Sequence, residues 1–327
     1  LVAAPFPSVV PGAYLYPPTL ALMLVPLQAL TFDMAAVLWG GLQMAFLVAA
    51  VILAARAGGC QQLRPAESAV LVALPLLLWP LLWLIRDGNV GGLLALLAAL
   101  TLRKDRAAGI ALATAIAIKV VAVTAVPAAI LAGRRMAIGL VAGLLAWAVL
   151  NLLLAPGDSL DFPPVLVNLA SGDVDKPYNL ALNQTLAVYW GTTGASVGRA
   201  ISVFILVALM AASVHAARRS RHRTAMSAAI LATLFLPATL WVHYLVIILV
   251  PVATAWPSSP TGVRLVSTLA LVSLMAVPLL SPGLEHLLVT VVLAWLVPST
   301  LWAVWRSEAV GRSPAQGDLL SRRTPVP

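Results

Sequence analysis

The sequence predicts an all-α polytopic membrane protein, a bundle of about eleven spans with one short re-entrant segment and a long external loop. Three observations predict it. The chain is 61% hydrophobic and only 9% charged, with a mean hydropathy of +1.00, whereas a soluble domain carries about a quarter charged residues. Its apolar runs reach the roughly 20 residues that a helix needs to cross a bilayer. Its basic residues fall in short clusters between those runs, as in cytoplasmic loops. The net charge of +9 is therefore assigned to topology: membrane lipids are expected partners and nucleic acid is not. The single Cys60 excludes an intramolecular disulfide. Richness in Ala, Leu and Val, with Arg used over Lys, suggests a GC-rich bacterial genome. The chain starts at Leu1, and Leu1–Tyr16 lacks the basic start of a signal peptide. It is read as a fragment whose natural N-terminus lies upstream.

The elements follow in order. Leu1–Tyr16 is Pro-rich and uncharged, and Thr19–Leu30 is too short to span, so a re-entrant or broken helix is expected there. Asp33–Ala55 and Glu67–Ile85 read as spans, and Arg86-Asp87-Gly88-Asn89 as a tight turn before Val90–Leu102. Lys119 and Pro127 interrupt Ala107–Gly133. Two short helices meeting near Lys119 are expected, so that Arg134-Arg135 returns to the side of Arg103, Lys104 and Arg106. Met136–Ala155 leads to the stretch Pro156–Ser196, which carries Asp158, Asp161, Asp173 and Asp175 and reads as an ordered loop outside the hydrocarbon. Ser196–Ala217 returns to Arg218, Arg219, Arg221 and Arg223, and Thr224–Leu236, Trp241–Trp256, Val263–Leu280 and Leu284–Trp305 complete the bundle. Residues 1–305 form one integral membrane domain, and 306–327 a polar cytoplasmic tail expected to be disordered. The positive-inside rule puts the loops near Arg56, Arg103, Arg134, Arg218 and Arg264 in the cytoplasm. The turns near Arg86, Pro237 and Ser281 and the Pro156–Ser196 stretch then face outward.

Residues able to do chemistry gather on the outward side of this map: Tyr14, Tyr16, Asp87, Asn89, the four aspartates, Asn183, Gln184 and His243. His243 is a candidate proton relay, since imidazole exchanges a proton near neutral pH. An interfacial His-Tyr pair anchoring a helix end fits it equally well. Lys119, in AIAIKVVAV, is far from both flanking basic loops. A buried ammonium needs a carboxylate, carbonyls or a phosphate, which favours binding of a lipid-carrier phosphate over snorkelling to the interface. Asp87 beside Arg86 reads as a turn with a local ion pair. The loop aspartates match no metal-binding spacing and read as solvated acids or helix caps. Asn183 and Gln184 offer amides to sugar hydroxyls, or simply start a helix. Glu285 and His286 read as N-terminal helix residues, and His215 and His222 as members of the basic cluster. No P-loop, G-x-S-x-G or H-E-x-x-H occurs. An enzyme of this build takes a lipid-linked donor from within the bilayer.

Several segments then coincide in order: YLYPPTLALMLVPLQAL (Tyr14–Leu30), the GNV turn (Gly88–Val90), AAGIALATAIAIKVVAV (Ala107–Val123), LNQTL (Leu182–Leu186) and WVHYLVIILVP (Trp241–Pro251). Together they resemble the bacterial polyprenyl-phosphate-sugar-dependent glycosyltransferases of family 87, which have a GT-C membrane fold and are typically actinobacterial. The resemblance implies transfer of a sugar, mannose first and arabinofuranose next, from a polyprenyl-phosphate donor to a glycolipid or cell-envelope glycan. It implies an active site facing outside the bacterial plasma membrane, with no cofactor, no metal and no nucleotide. Tyr16-Pro17-Pro18 matches the family's Y-P-P entry helix, Lys119 its lysine before a second short helix, with binding of the donor phosphate as the implied role, Asn183-Gln184 its N-Q-[ST], and His243 its W-x-H-[HY]. Tyr16, Asn89, Asn183, Gln184 and Tyr244 become expected substrate contacts, and His243 a proton relay or positioning group. Two departures stand out. Gly88-Asn89-Val90-Gly91 stands where the family often has G-Q-x-N. The family's catalytic Asp precedes Y-P-P, whereas Leu1–Tyr16 holds no acid. Either that Asp lies upstream of residue 1 or this stretch is inactive alone. A polyprenyl-lipid flippase and a non-catalytic membrane subunit remain the alternatives.

Overall fold

The computed structural model describes residues 17–59, 67, 69–73, 85, 89–171, 179–236, 240 and 242–310, with the backbone alone described at 165–171, 242–243, 278, 282 and 310. Tyr14, Tyr16, Cys60, Arg86, Asp87, Asp173, Asp175 and the tail beyond Val310 lie outside these residues. Among the described residues every regular element is a helix, and four are long and apolar enough to cross a membrane: Phe32–Ala57, Arg134–Leu154, Leu182–Arg218 and Gly283–Ala309. Shorter apolar helices pack between them, and the chain is an all-α polytopic membrane protein. Large side chains such as Val141, Leu145 and Leu153 stay exposed on Arg134–Leu154, as expected where the surrounding medium is hydrocarbon.

Helix α1 (Pro18–Leu24) runs into a 3-10 turn over Val25–Ala29, the broken segment expected from its length. Pro26 at that junction has no amide hydrogen to continue the α-helical ladder. Helix α2 (Phe32–Ala57) starts at Thr31, whose hydroxyl accepts from the Met34 amide at 3.4 Å, and carries Asp33 in its first turn. Helix α3 (Gly91–Leu100) precedes α4 (Arg106–Ile118), which Asp105 caps through the Ala108 amide at 2.9 Å. Those bonds and Arg103 hold the Asp105 carboxyl below its usual range, the Ala108 amide contributing most. The chain then breaks at Lys119, continues as a 3-10 turn over Val120–Ala125 and ends in α5 (Val126–Ala132). Gly133, at φ 134°, reverses it into α6 (Arg134–Leu154). The two short segments meeting at Lys119 are those the sequence predicts.

Helices α4 and α6 approach closely because small residues face each other. A Cβ on Gly139 would lie 2.1 Å from the Arg106 carbonyl oxygen, and one on Gly109 2.1 Å from that of Met136. Gly143 meets Ala113 in the same seam, and the Trp147 indole donates to Thr114 Oγ1 at 3.0 Å. Lipid tails are as apolar as leucine, so this fit and not burial from water holds the pair together. Gly139→Leu is expected to destabilise the protein by about 1–3 kcal/mol through overpacking, read as a lowered Tm in nanodiscs, with Gly41→Leu as control. Nothing stands within 4 Å of the Gly41 Cβ position.

The Pro156–Ser196 stretch departs from the expected loop. Helix α7 covers Pro156–Ser171 and α8 begins already at Leu182. The polar residues that suggested a loop report contact with water, not backbone conformation. Asp158 and Asp161, three apart, share a side of α7, while Leu160 is exposed. Helix α8 (Leu182–Arg218) is itself folded back. Trp190 and Gly191 leave helical geometry, and Gly191 takes φ 59° and ψ −143°, a conformation open to glycine alone. The arm before the break lies along the arm after it: a Cβ on Gly194 would meet the Leu186 carbonyl oxygen at 2.0 Å, and one on Gly198 the Asn183 Cα at 2.4 Å.

The remaining elements are α9 (His222–Ala232), a 3-10 turn over Val242–Ile248, α10 (Leu249–Ala255), α11 (Thr261–Ser273), a 3-10 turn over Leu274–Leu279 and α12 (Pro282–Val310). Helix α12 continues past Arg306, where the polar tail was expected to begin, because its next turn supplies Glu308 to α9. The Glu308 carboxylate receives the Arg223 and Thr224 amides at 3.1 Å each and the Thr224 hydroxyl at 2.7 Å. Arg223 also donates to the Ala57 carbonyl at 2.8 Å. His222 reaches the carbonyls of Thr101 and Arg103 with Nε2 at 3.0 and 2.7 Å, capping the end of α3. The loops assigned to one side by their charge are thus gathered at one end of the bundle.

Contact with two carbonyls requires a hydrogen on His222 Nε2. Burial lowers the pKa of this histidine below 6.5, outweighing the carbonyl bonds that raise it. The unfolded chain then binds the extra proton more readily. The contribution of His222 is complete above the unfolded value of about 6.5 and is lost as pH falls from there through the folded value. Tm measured from pH 7.5 to pH 5.5 is expected to fall with acidification, and to fall less steeply in His222→Gln.

Candidate functional site

At the other end of the bundle, segments far apart in sequence come together. Leu20 of α1, Val90 and Leu94 of the α3 start, and Ala115 and Ile118 of α4 form one buried apolar cluster. Thr19 and Asn151 exchange side-chain hydrogen bonds at about 3 Å, joining α1 to the end of α6. Helix α3 also packs on the 3-10 turn over Val242–Ile248.

Lys119 lies at the centre of this convergence. Its amide still bonds the Ala115 carbonyl at 2.8 Å, but its backbone is extended, at φ −150° and ψ 110°. The helix therefore ends at the residue whose side chain is charged. The Lys119 stem is partly exposed, whereas its ammonium nitrogen is enclosed. That nitrogen stands 3.5 Å from the centre of the Tyr244 ring, a cation–π contact worth about 2 kcal/mol when desolvated. Two residues singled out separately, 125 positions apart by their numbers, are thus brought into direct contact. His243 is the neighbour of Tyr244 in the same 3-10 turn, and its side chain lies outside the described atoms.

The amide-rich segment is tied to this turn by Asn179. Its Oδ1 accepts from the Leu240 amide at 3.0 Å and the Ala181 amide at 3.1 Å, while the Leu180 amide donates to the Leu240 carbonyl at 2.8 Å. Sequence reasoning gave Asn179 no role. Its buried position and its partner, 61 residues away, emerge only from the fold. Asn183 is buried against Gly198, and Gln184 is half-buried on the same arm. Asn89 is buried at the start of α3, where its Oδ1 accepts from the Val90 amide at 2.8 Å. Gln43 was missed altogether: fully buried, it accepts from the Leu93 amide at 3.1 Å and fixes that helix start against α2. An amide in the middle of an apolar span was the available signal. Tyr16, one residue before the described chain, lies outside it. Among the described residues no group of three or more His, Cys, Asp or Glu is arranged to hold a metal ion.

This end of the bundle thus holds an enclosed cation against an aromatic ring, with the buried amides of Asn89 and Asn179 in the segments packed around it. The sequence matches the family model described as Glycosyltransferase family 87 over residues 14–243. No curated protein and no solved structure matches the chain. The matched region runs from the opening segment to His243, one residue short of Tyr244, and covers more than two thirds of the 327 residues, so the chain belongs to glycosyltransferase family 87.

Proposed function

We propose that this membrane glycosyltransferase takes its sugar, mannose first and arabinofuranose next, from a polyprenyl-phosphate donor and passes it to a glycolipid or cell-envelope glycan. The observation that carries this reading is the enclosed Lys119 ammonium held over Tyr244. A fixed cation in a desolvated site stabilises the negative charge that grows on a leaving phosphate. In the reaction the acceptor oxygen attacks C1 of the sugar and loses its proton to a base. The C1–O bond breaks, and its electron pair leaves with the polyprenyl phosphate, opposite Lys119. The configuration at C1 inverts. Asn183, Gln184, Asn89 and Tyr16 bind hydroxyls, and His243 relays a proton or orients the acceptor.

The basic loops gathered at the opposite end support an outward-facing site in a bacterial plasma membrane. The helices through Val310 act as one membrane-embedded domain, with the polar tail after them in the cytoplasm. The full-length gene product, reconstituted in nanodiscs, is expected to move radiolabelled mannose from polyprenyl-phosphate-mannose to a synthetic alkyl glycoside. Absence of transfer from both mannosyl and arabinofuranosyl donors would overturn the donor assignment.

A further inference from the structure

The end of the bundle opposite Lys119 carries a cavity that glycosyl transfer does not use. It measures about 320 Å³, and its wall includes Lys104, Ser220, His222, Arg223, Ser307 and Glu308. Three segments meet there: the turn between α3 and α4, the turn between α8 and α9, and the last turn of α12. Both Glu308 oxygens are engaged by the start of α9. Lys104 is exposed and forms no ion pair among the described residues, whereas its neighbour Arg103 is paired with Asp105. Arg218 and Arg219 stand exposed on the adjoining turn, so the rim carries a surplus of positive charge.

Two details set this cavity apart from a gap between solvated loops. His222 is only 4% exposed, and while its Nε2 serves two carbonyls, its Nδ1 has no hydrogen-bond partner among the described residues. A buried polar atom left over in a cavity wall points to a polar occupant. Ser220 is the second detail. It takes φ 57°, the left-handed region where glycine is the usual choice, to close the end of α8. Its amide reaches the Ala217 carbonyl at 2.9 Å, and the Arg221 amide that of Ala216 at 2.8 Å. Glycine would make the same turn without strain but would take a hydroxyl from the cavity wall.

Aromatic residues fix the depth of the cavity in the membrane. The Arg221 guanidinium lies 3.5 Å from the centre of the Trp305 ring, and the His215 ring stacks on the same indole at 6.0 Å. Trp302 is exposed, with the Arg306 guanidinium 5.3 Å from its ring. Tryptophans beside arginines gather where hydrocarbon gives way to headgroups. Val291, Trp295 and Trp302, exposed on one side of α12, offer acyl chains a path to this level. We propose that the cavity binds the headgroup of an anionic phospholipid, with its phosphate beside Lys104 and Ser220 and its acyl chains along α12. Basic pockets between membrane helices suit such headgroups, because the lipid is already confined to their level. The bound lipid ties the three segments together and stabilises the fold, whatever sugar the enzyme transfers. General attraction of basic loops to an anionic surface is the competing explanation, and it predicts no dependence on single residues.

The test uses the full-length protein in neutral detergent micelles, with dioctanoyl phosphatidylglycerol, dioctanoyl phosphatidylcholine and inorganic phosphate as probes. Phosphatidylglycerol is expected to raise Tm saturably, by about 2–4 °C, and the other two to raise it less. Lys104→Gln should weaken the apparent phosphatidylglycerol affinity about fivefold, the worth of one cation beside an anionic lipid. Ser220→Gly should weaken it as well while raising the Tm of the lipid-free protein, a combination that a serine serving the turn alone does not give. The double variant Arg134→Gln, Arg135→Gln, on a basic turn outside the cavity wall, is expected to keep wild-type affinity. Equal stabilisation by phosphatidylglycerol and phosphatidylcholine overturns the inference, as does wild-type affinity in Lys104→Gln. A loss in the double variant as large as that in Lys104→Gln leaves only general surface attraction and overturns it too. Inorganic phosphate that stabilises as well as phosphatidylglycerol reveals an anion site served from water and defeats the lipid as its occupant.

Discussion

Replacing Lys119 with methionine is expected to lower sugar transfer by about 10²–10³-fold, the scale seen when one fixed electrostatic donor is removed from a reacting centre. Methionine keeps the length and fills the space, and it removes a charge whose enclosure is costly in itself. Tm should therefore hold or rise while activity collapses, a pattern that a structural role does not give. Tyr244 supplies the internal control. Tyr244→Phe retains the ring beneath the ammonium and is expected to stay within about threefold of wild type, whereas Tyr244→Leu removes the cation–π contact of about 2 kcal/mol and should mislay the lysine. Lys119→Arg is not a rescue, because a planar fork on a longer stem does not reproduce a point charge. Transfer rates and melting curves on the same nanodisc samples check all four variants. Wild-type transfer by Lys119→Met would remove the lysine from the phosphate site.

Glu308→Ala should be the most damaging single change to stability, at about 3 kcal/mol. The reason lies in α9. Its N-cap, Arg221, provides no side-chain bond to the first amides, and the helix start is buried. Glu308 provides it from α12, taking the Arg223 and Thr224 amides, the Thr224 hydroxyl and, at 3.5 Å, the Arg223 guanidinium. Truncation leaves two helix-start amides without an acceptor and a half-buried arginine without its counter-charge. Glu308→Gln keeps one carbonyl oxygen for the amides and should lose roughly half as much. Thermal unfolding in nanodiscs separates the two, and equal Tm values for Glu308→Ala and wild type would refute the capping role.

The sequence was informative wherever a local rule applied. The break at Lys119 was legible because Arg134-Arg135 had to return to the side of Arg103, Lys104 and Arg106. The short opening segment was legible from its length, and the shared end of the basic loops from their charge. The candidate site was legible only as separate words. That Tyr244 lies under Lys119 depends on how α3, α4 and the Val242–Ile248 turn pack, and a one-residue rotation would part them. Asn179 and Leu240 pair across 61 positions, and nothing in either neighbourhood announces the other. His222 read as a member of the basic cluster, and Glu308 fell within the polar tail. Both prove to be buried caps for helices that do not contain them. The Pro156–Ser171 helix was misjudged because polarity was taken for irregularity.

The reversal at Trp190 and Gly191 also governs bookkeeping of a different kind, the parity of the chain through the bilayer. A helix of 37 residues invites a tally of two crossings. Folded upon itself, with Gly194 and Gly198 seated against the returning arm, it makes one. Counting it as two would turn over every later segment and exchange the compartments of Arg218–Arg223 and Tyr244. One left-handed glycine therefore decides on which side of the membrane a reporter fused beyond it would be read.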